Sequence, residues 1–218
     1  MSSRNRLEEL LDTNQDYANA SHLVDVEGLS TPRVCNLLND MVRGMDPEHY
    51  YLEIGTWKGL TLCSAIHANQ GKRVIACDKF RLWGRWTGWG VLARRALFRN
   101  VAREEREGGA KVTFHHMTSK ELFQRELVPK DSVEVYFYDG DHSYEGTYHG
   151  VIAAAPCLTQ QSYLLMDDWN DEVIQKATFD ACEEAKLKIA WMRELEGDNL
   201  SQDGWWNGLG VFFLEKQA

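Results

Sequence analysis

Residues 133–170 read VEVYFYDGDHSYEGTYHGVIAAAPCLTQQSYLLMDDWN, and this stretch decides the fold. Residues 133–138 are rich in β-branched and aromatic side chains, and residues 162–166 form a second short apolar run, as is typical of buried strands. Residues 144–158 lie between them and are long enough for a crossover helix. Two strands joined by such a helix run parallel, and their carboxyl ends meet at one edge of the sheet.

Acidic residues end both of these predicted strands. Asp139 follows the first strand, and Asp167 and Asp168 follow the second. Ligands of open parallel sheets bind at the carboxyl ends of the strands. Carboxylates gathered there repel one another unless a cation or a proton lies between them. The three aspartates therefore indicate a metal site, and the alternative interpretation is that each only caps a turn or a helix.

The rest of the chain continues to alternate strands and helices. Further strands are predicted at residues 49–54, 73–77, 112–114, 187–192 and 208–214, and helices at residues 32–42, 59–69, 91–105, 119–127 and 171–186. This alternation predicts an α/β fold with a mostly parallel sheet and helices on both faces. Only a loop joins the last two strands, so the final strand should run antiparallel. We expect a single domain over residues 1–218, with residues 1–45 as a helical segment that packs on it.

The composition excludes several classes of protein. The 218-residue chain has a net charge of −9, which argues against a nucleic acid as its main partner. No apolar run reaches the length of a transmembrane helix, and the charged N-terminus lacks the apolar core of a signal peptide. The five cysteines are scattered, with no CxxC pair, as in proteins of a reducing compartment. We therefore expect a cytoplasmic protein, and whether it assembles with copies of itself stays open.

A glycine-containing turn follows the first predicted strand. Residues 53–59 read EIGTWKG, and Gly55 and Gly59 would let the backbone approach a ligand closely at the start of a helix. Asp78 ends the next strand, where an acid can bind both hydroxyls of a ribose. The spacing of the glycines is not the GxGxxG of dinucleotide-binding proteins. Together these features favour a nucleoside site over a turn that only permits close packing.

Four motifs in this order, EIGTWKG, VIACD, YFYDGDHSYE and LLMDDW, resemble the class I S-adenosylmethionine-dependent methyltransferases. The resemblance extends from about residue 27 to the end, and is closest to a bacterial branch of metal-dependent O-methyltransferases of the macrocin and catechol types. It implies a Rossmann-like, seven-stranded sheet whose last strand is antiparallel. No N/D-P-P-Y sequence is present, which disfavours methylation of an amide or exocyclic nitrogen.

The resemblance also implies roles for individual residues. S-adenosylmethionine would be bound by Glu53, Gly55, Thr56, Gly59, Asp78, Met117, Ser119 and Asp139. Asp139, Asp167 and Asp168 would bind a divalent metal, and we expect Mg²⁺ because it takes oxygen ligands octahedrally. A metal at this place would orient an acceptor hydroxyl and lower its pKa.

Two neighbouring residues are candidates for the general base. His142 lies in the turn after Asp139, and an imidazole titrates near neutral pH, so it can take the proton that methylation releases. Asp141 is the competing candidate. The structural alternative for His142 is a histidine that hydrogen-bonds at the start of the next helix.

Residues 79–103 contain seven lysines and arginines and no acidic residue, with Trp83, Trp86 and Trp89 spaced among glycines. This segment is predicted to be a loop up to residue 90 and then a helix, and to form a mobile wall over the acceptor. It would suit an anionic or amphiphilic molecule, although a solvated helix face or a membrane-binding patch would have the same pattern. The loop that contains Trp205 and Trp206 is a second candidate wall.

We expect an S-adenosylmethionine-dependent O-methyltransferase that acts on a hydroxyl of a small molecule, such as a sugar or a natural product, with a divalent metal. The alternatives are a metal-independent methyltransferase of the same fold, an NAD-dependent oxidoreductase, and a nucleoside-binding protein without catalysis. Binding of S-adenosylmethionine distinguishes the methyltransferases from the oxidoreductase, and dependence on Mg²⁺ distinguishes the two methyltransferases.

Overall fold

The computed structural model describes residues 8, 11, 25–80, 88–197 and 204–217. The strands in these residues are β1 (Tyr50–Ile54), β2 (Arg73–Cys77), β3 (Lys111–His115), β4 (Val133–Tyr138), β5 (Leu158–Asp167), β6 (Leu187–Leu195) and β7 (Leu209–Lys216). The helices are α1 (Pro32–Gly44), α2 (Leu60–Ile66), α3 (Gly88–Arg106), α4 (Ser119–Gln124), α5 (Tyr144–Ala154) and α6 (Glu172–Glu184).

The seven strands form one sheet in the order β3-β2-β1-β4-β5-β7-β6. The first five strands run parallel to one another. Strand β7 lies antiparallel between β5 and β6. The predicted Rossmann-like, seven-stranded and mostly parallel sheet with an antiparallel last strand is therefore confirmed. Its strand order reverses between β1 and β4, where ligands of such sheets bind.

Helices cover both faces of the sheet because its central strands are apolar on both sides. On one face Leu37 of α1, Leu62 of α2 and Leu97 of α3 share a buried cluster with the strands. On the other face Leu122 of α4 and Val151 of α5 belong to a second cluster, together with residues of α6. Burial on both faces holds the strand ends, and the loops that follow them, in fixed positions.

Local signals explain where several helices begin and end. Thr31 caps α1 as predicted, because its hydroxyl accepts a hydrogen bond from the backbone N–H of Val34 at 3.3 Å. The crossover helix α5 ends at Ala154 and not at residue 158, because Pro156 cannot continue an α-helix. A short 3₁₀ turn, Ala155–Cys157, follows, and β5 then begins earlier than predicted.

Helix α3 begins at Gly88, so the prediction of a loop up to residue 90 was wrong at its end. The first turn of the helix packs on the chain that leaves β2. A Cβ atom at Gly90 would lie 2.1 Å from the carbonyl oxygen of Phe80, so glycine permits this contact. Residues 81–87, which include Trp83 and Trp86, lie outside the described residues, and the mobile wall stays a prediction.

Of the first 24 residues the structure describes only Glu8 and Leu11, which are helical, and Leu11 is buried in the core. Among the described residues, no helix combines the length and the apolar composition needed to cross a bilayer.

Candidate active site

A cavity of about 690 Å³ opens at the carboxyl ends of β1, β2, β4 and β5. Residues at or just after these strand ends line it, namely Ile54, Cys77, Asp139 and Asp167. Its volume is within the usual range for a small-molecule site, about 300–1,000 Å³. Gly55, Thr56, Asp78, Met117, Ser119, Asp139, Asp141, His142, Asp167 and Asp168 of the predicted site all line this cavity.

The glycine turn after β1 is fixed from two sides. Gly55 has φ +87°, and a Cβ atom there would lie 1.7 Å from the carbonyl oxygen of Asp139, so only glycine fits. Asp78 Oδ2 accepts hydrogen bonds from the backbone N–H groups of Thr56 (3.0 Å) and Trp57 (2.7 Å). Asp78 therefore shapes the turn, in addition to its predicted contact with a ribose.

Two of the predicted cofactor residues, Glu53 and Gly59, lie behind the turn and do not line the cavity. The Glu53 side chain is fully buried, where it accepts hydrogen bonds from the hydroxyls of Tyr51 (2.6 Å) and Thr61 (2.8 Å). Burial raises the pKa of Glu53 to about 8. Gly59 has φ +91°, and a Cβ atom there would lie 2.6 Å from Leu97 Cδ1. Both residues thus support the turn from the core.

Thr56 carries a buried hydroxyl with no partner. Thr56 is one of the residues that line the cavity, it is 3% exposed, and its Oγ1 has no hydrogen-bond partner among the described residues. A buried polar group without a partner costs stability, so such groups are rare unless a ligand satisfies them. The hydroxyl therefore fits a polar ligand bound against the glycine turn.

An imidazole joins the carboxylates at the other strand ends. His142 Nδ1 lies 2.7 Å from Asp168 Oδ2, and His142 Nε2 lies 3.3 Å from Asp139 Oδ1. Hydrogen bonds with Asp139 and Asp168 raise the pKa of His142 to about 10. Burial raises the pKa of Asp139 to about 6 and that of Asp167 well above its usual range. We call Asp139, Asp167, Asp168 and His142 the acidic rim.

The predicted metal ligands converge, but His142 lies between two of them. In the described part of the chain, no three His, Cys, Asp or Glu side chains are arranged as a metal site. The three carboxylates still offer the oxygen donors that Mg²⁺ prefers. The carboxylates thus supply suitable donor atoms, but the described residues do not arrange them as a metal site, and His142 lies between Asp139 and Asp168.

Asp141 lies in the turn before α5. Its Oδ1 accepts a hydrogen bond from the backbone N–H of Ser143 at 3.1 Å, and the Lys79 ammonium lies 3.5 Å from Oδ2. The hydrogen bonds from Ser143 and the charge of Lys79 hold the pKa of Asp141 below its usual value. A lower pKa makes Asp141 a weaker proton acceptor.

The loop before β7 adds a residue that the sequence interpretation missed. Asn207 lines the cavity and donates a hydrogen bond to Asp168 Oδ1 at 2.7 Å. Although burial raises the pKa of Asp168, hydrogen bonds from His142 and Asn207 lower it overall. Trp206 lines the cavity, whereas Trp205 is buried, with the guanidinium of Arg33 4.5 Å above its ring. In the sequence, the glycines on either side of Trp205, Trp206 and Asn207 indicated that this loop could line a site, but no pattern singled out Asn207.

Residues 52–169 match the family described as methyltransferase domain. This match covers more than half of the chain and contains the glycine turn and the whole acidic rim. The chain belongs to the methyltransferase domain family. Membership of this family sets aside the alternative of an NAD-dependent oxidoreductase. The cavity at the strand ends is therefore the candidate active site of a methyltransferase.

Solved structures share the fold of this methyltransferase at low sequence identity. A protein from Corynebacterium glutamicum is 16% identical, with 100% of this chain and 99% of that chain covered and a TM-score of 0.61. An O-methyltransferase from Bacillus cereus, in complex with SAH, is 15% identical, with 99% and 93% covered and a TM-score of 0.59. A spermidine synthase from Thermotoga maritima is 14% identical, with 84% and 59% covered and a TM-score of 0.54. No curated protein matches the chain in sequence.

Proposed function

We propose that this methyltransferase transfers the methyl group of S-adenosylmethionine to a hydroxyl oxygen of a small molecule, with the help of a divalent metal. The observation that carries the proposal is that the glycine turn, with its unpartnered Thr56 hydroxyl, and the acidic rim line the same cavity. One part of the cavity would bind the methyl donor, and the other would bind the acceptor.

The cofactor would lie against the glycine turn. The Thr56 hydroxyl has no hydrogen-bond partner among the described residues and would be available to a polar atom of the cofactor. Asp78 Oδ2 is engaged by two backbone N–H groups. Its Oδ1 accepts one, from Phe80 at 2.5 Å, which leaves it able to accept another from a ribose hydroxyl. Met117 and Ser119 line the region where an adenine would follow. The similar O-methyltransferase from Bacillus cereus was solved with SAH, which supports this choice of cofactor.

The acceptor would lie at the acidic rim. Asp139, Asp167 and Asp168 would bind the divalent cation, which when bound would polarise the acceptor hydroxyl and favour loss of its proton. His142 and Asp141 also line the cavity, and we propose them as the two candidates to receive that proton. We prefer His142 as the base, and because Asp139 and Asp168 raise its pKa to about 10, it would first have to lose its own proton, which a cation bound to these carboxylates would favour.

One observation favours a second candidate, a metal-independent methyltransferase. Without a cation, the imidazole of His142 already lies between Asp139 and Asp168 and balances their charge. In that case the rim would position His142 and the acceptor directly. Methylation that persists in the presence of a chelator would support this second candidate.

The proposal can be tested in two steps. Calorimetry should first show binding of S-adenosylmethionine, and Asp78→Ala should weaken it because a charge-assisted hydrogen bond, roughly 1.5–3 kcal/mol, is lost. Tight binding of NAD, with none of S-adenosylmethionine, would overturn the proposal.

In the second step, the purified protein is incubated with S-adenosylmethionine and a panel of small hydroxylated compounds, and S-adenosylhomocysteine is measured. Chelator should abolish turnover and Mg²⁺ should restore it. Asp167→Asn should abolish the response to Mg²⁺. The matched control is Asp131→Asn, because Asp131 precedes β4 at the opposite end of the strand and pairs there with Lys216. Equal activity of both variants would show that the rim does not bind a catalytic metal.

A further inference from the structure

Helix α3 presents an unusual outer face. Its inner face is buried through Ala93, Leu97 and Asn100. The outer face combines apolar side chains with arginines, and consists of Trp89, Val91, Leu92, Arg94, Arg95, Phe98 and Arg99, all of which are exposed. Trp89 is 65% exposed and Leu92 is 57% exposed. Large apolar side chains that are exposed next to one another indicate a binding surface more often than a solvated face.

The arginines of this outer face form no salt bridge among the described residues, although Arg99, after Lys58, helps to lower the pKa of Glu27. Residues 88–103 contain no Asp or Glu, although the whole chain has a net charge of −9. Among the described residues, no carboxylate oxygen lies within 4.0 Å of a side-chain nitrogen of Arg94, Arg95 or Arg99. The outer face is thus a local cationic and apolar surface on an acidic protein.

The outer face lies next to the mouth of the active-site cavity. Gly90, in the first turn of α3, lines that cavity, and so does Leu29, which is 59% exposed. The acidic residues of the helix, Glu104 and Glu105, come only after this region, near its other end. The cationic and apolar part of α3 therefore adjoins the opening through which an acceptor would enter.

We propose that the outer face of α3 docks on an anionic lipid surface. A helix that lies in the membrane interface combines Trp, Leu and Phe side chains with arginines, because the apolar groups enter the acyl boundary while the cations pair with anionic headgroups. The side chains of Trp89, Leu92 and Phe98 supply the first component, and Arg95 and Arg99 supply the second.

The chemistry of the outer face disfavours two other partners, a second copy of the chain and a nucleic acid. In a two-fold dimer through this face, Arg95 and Arg99 would approach the same residues of the second copy, and like charges repel. A nucleic acid could pair with the arginines, but its phosphate backbone would leave the exposed aliphatic side chains of Val91 and Leu92 in water. An anionic bilayer matches both the arginines and the aliphatic side chains. The proposal does not depend on which acceptor is methylated.

Vesicle co-sedimentation tests the proposal with the full chain. The protein should pellet with vesicles that contain phosphatidylglycerol and not with vesicles of phosphatidylcholine alone, and added salt should weaken the binding because it screens exposed charges. The double variant Arg95→Gln/Arg99→Gln should bind roughly 30-fold more weakly, since each arginine near an anionic surface contributes about 1 kcal/mol. Leu92→Ser should also weaken binding, with little dependence on salt.

The control is the double variant Arg125→Gln/Lys188→Gln, which removes the same charge from side chains that are 62% and 57% exposed. Arg125 directly follows α4, which packs on the opposite face of the sheet. This variant should bind vesicles like the wild type. The proposal is overturned if the wild type does not bind anionic vesicles at low salt, or if the two double variants bind them equally. It is also overturned if the protein has no affinity for vesicles and instead uses α3 to form a dimer or to bind RNA.

Discussion

His142 Nδ1 lies 2.7 Å from Asp168 Oδ2, and the same imidazole reaches Asp139 through Nε2 at 3.3 Å. These two aspartates follow different strands, and His142 comes from the turn after β4. One cation-forming side chain therefore connects the ends of β4 and β5. This contact explains how the rim tolerates carboxylates that are close together and largely removed from water.

His142→Gln should lower the stability of the empty protein at neutral pH, because Asp139 and Asp168 lose the positive charge between them. Mg²⁺ should then raise the unfolding temperature of the variant more than that of the wild type, since the cation would replace the lost charge. The turnover number should fall while the affinity for S-adenosylmethionine stays nearly unchanged. Thermal unfolding with and without Mg²⁺ and steady-state kinetics check these outcomes. Full activity of His142→Gln together with an inactive Asp141→Asn would assign the role of base to Asp141.

Thr56→Val should have opposite effects on stability and on binding. The substitution keeps the shape of the side chain and removes a buried hydroxyl that has no partner, so the empty protein should gain about 1 kcal/mol of stability. The affinity for S-adenosylmethionine should fall by roughly tenfold, as expected for a lost hydrogen bond of about 1 kcal/mol. Urea unfolding and calorimetry measure the two quantities. A variant that is less stable and binds as well as the wild type would contradict a ligand-binding role for this hydroxyl.

Glu53 should make the protein less stable as the pH rises. Its pKa is about 8 in the folded protein, because of burial, and 4.5 is its ordinary value. The folded state therefore holds this proton more tightly than the unfolded state. The stabilisation is complete below about pH 4.5 and is lost as the pH rises to about 8, by about 1.4 kcal/mol per pH unit at most.

Glu53→Gln removes this titration, and its amide can accept a hydrogen bond from one of the hydroxyls of Tyr51 and Thr61 and donate one to the other. The difference in unfolding free energy between wild type and Glu53→Gln should change between about pH 5 and about pH 8, with the wild type losing relative stability. Urea unfolding at several pH values measures this difference. A difference that does not vary with pH would show that Glu53 is ionised in the core.

Gly59→Ala should destabilise the protein more than Gly71→Ala. Both glycines have positive φ, +91° and +87°, where an L-residue costs about 1–2 kcal/mol. A Cβ atom at Gly59 would also lie 2.6 Å from Leu97 Cδ1, whereas at Gly71 nothing lies within 4 Å. Overpacking should add about 1–3 kcal/mol at Gly59 alone. Equal losses in urea unfolding would mean that the contact between α2 and α3 adapts without cost.

The sequence by itself determined the elements and their order. The β-branched and aromatic run at residues 133–138, the capping Thr31 before Pro32, and the alternation of strands with helices are local patterns, and each strand they predicted is present. The convergence of Asp139, Asp167 and Asp168 could also be predicted, because the carboxyl ends of parallel strands lie at one edge of a sheet.

Only the tertiary structure decided which side chains face the cavity and which support it from the core. Glu53 and Gly59 belong to the same sequence motif as Thr56, but Glu53 points to Tyr51 and Thr61, while Gly59 packs on Leu97. Asn207 reaches Asp168 across 39 positions of the chain. Such contacts depend on the packing of helices and loops that are distant in sequence, and no local pattern of residues encodes that packing.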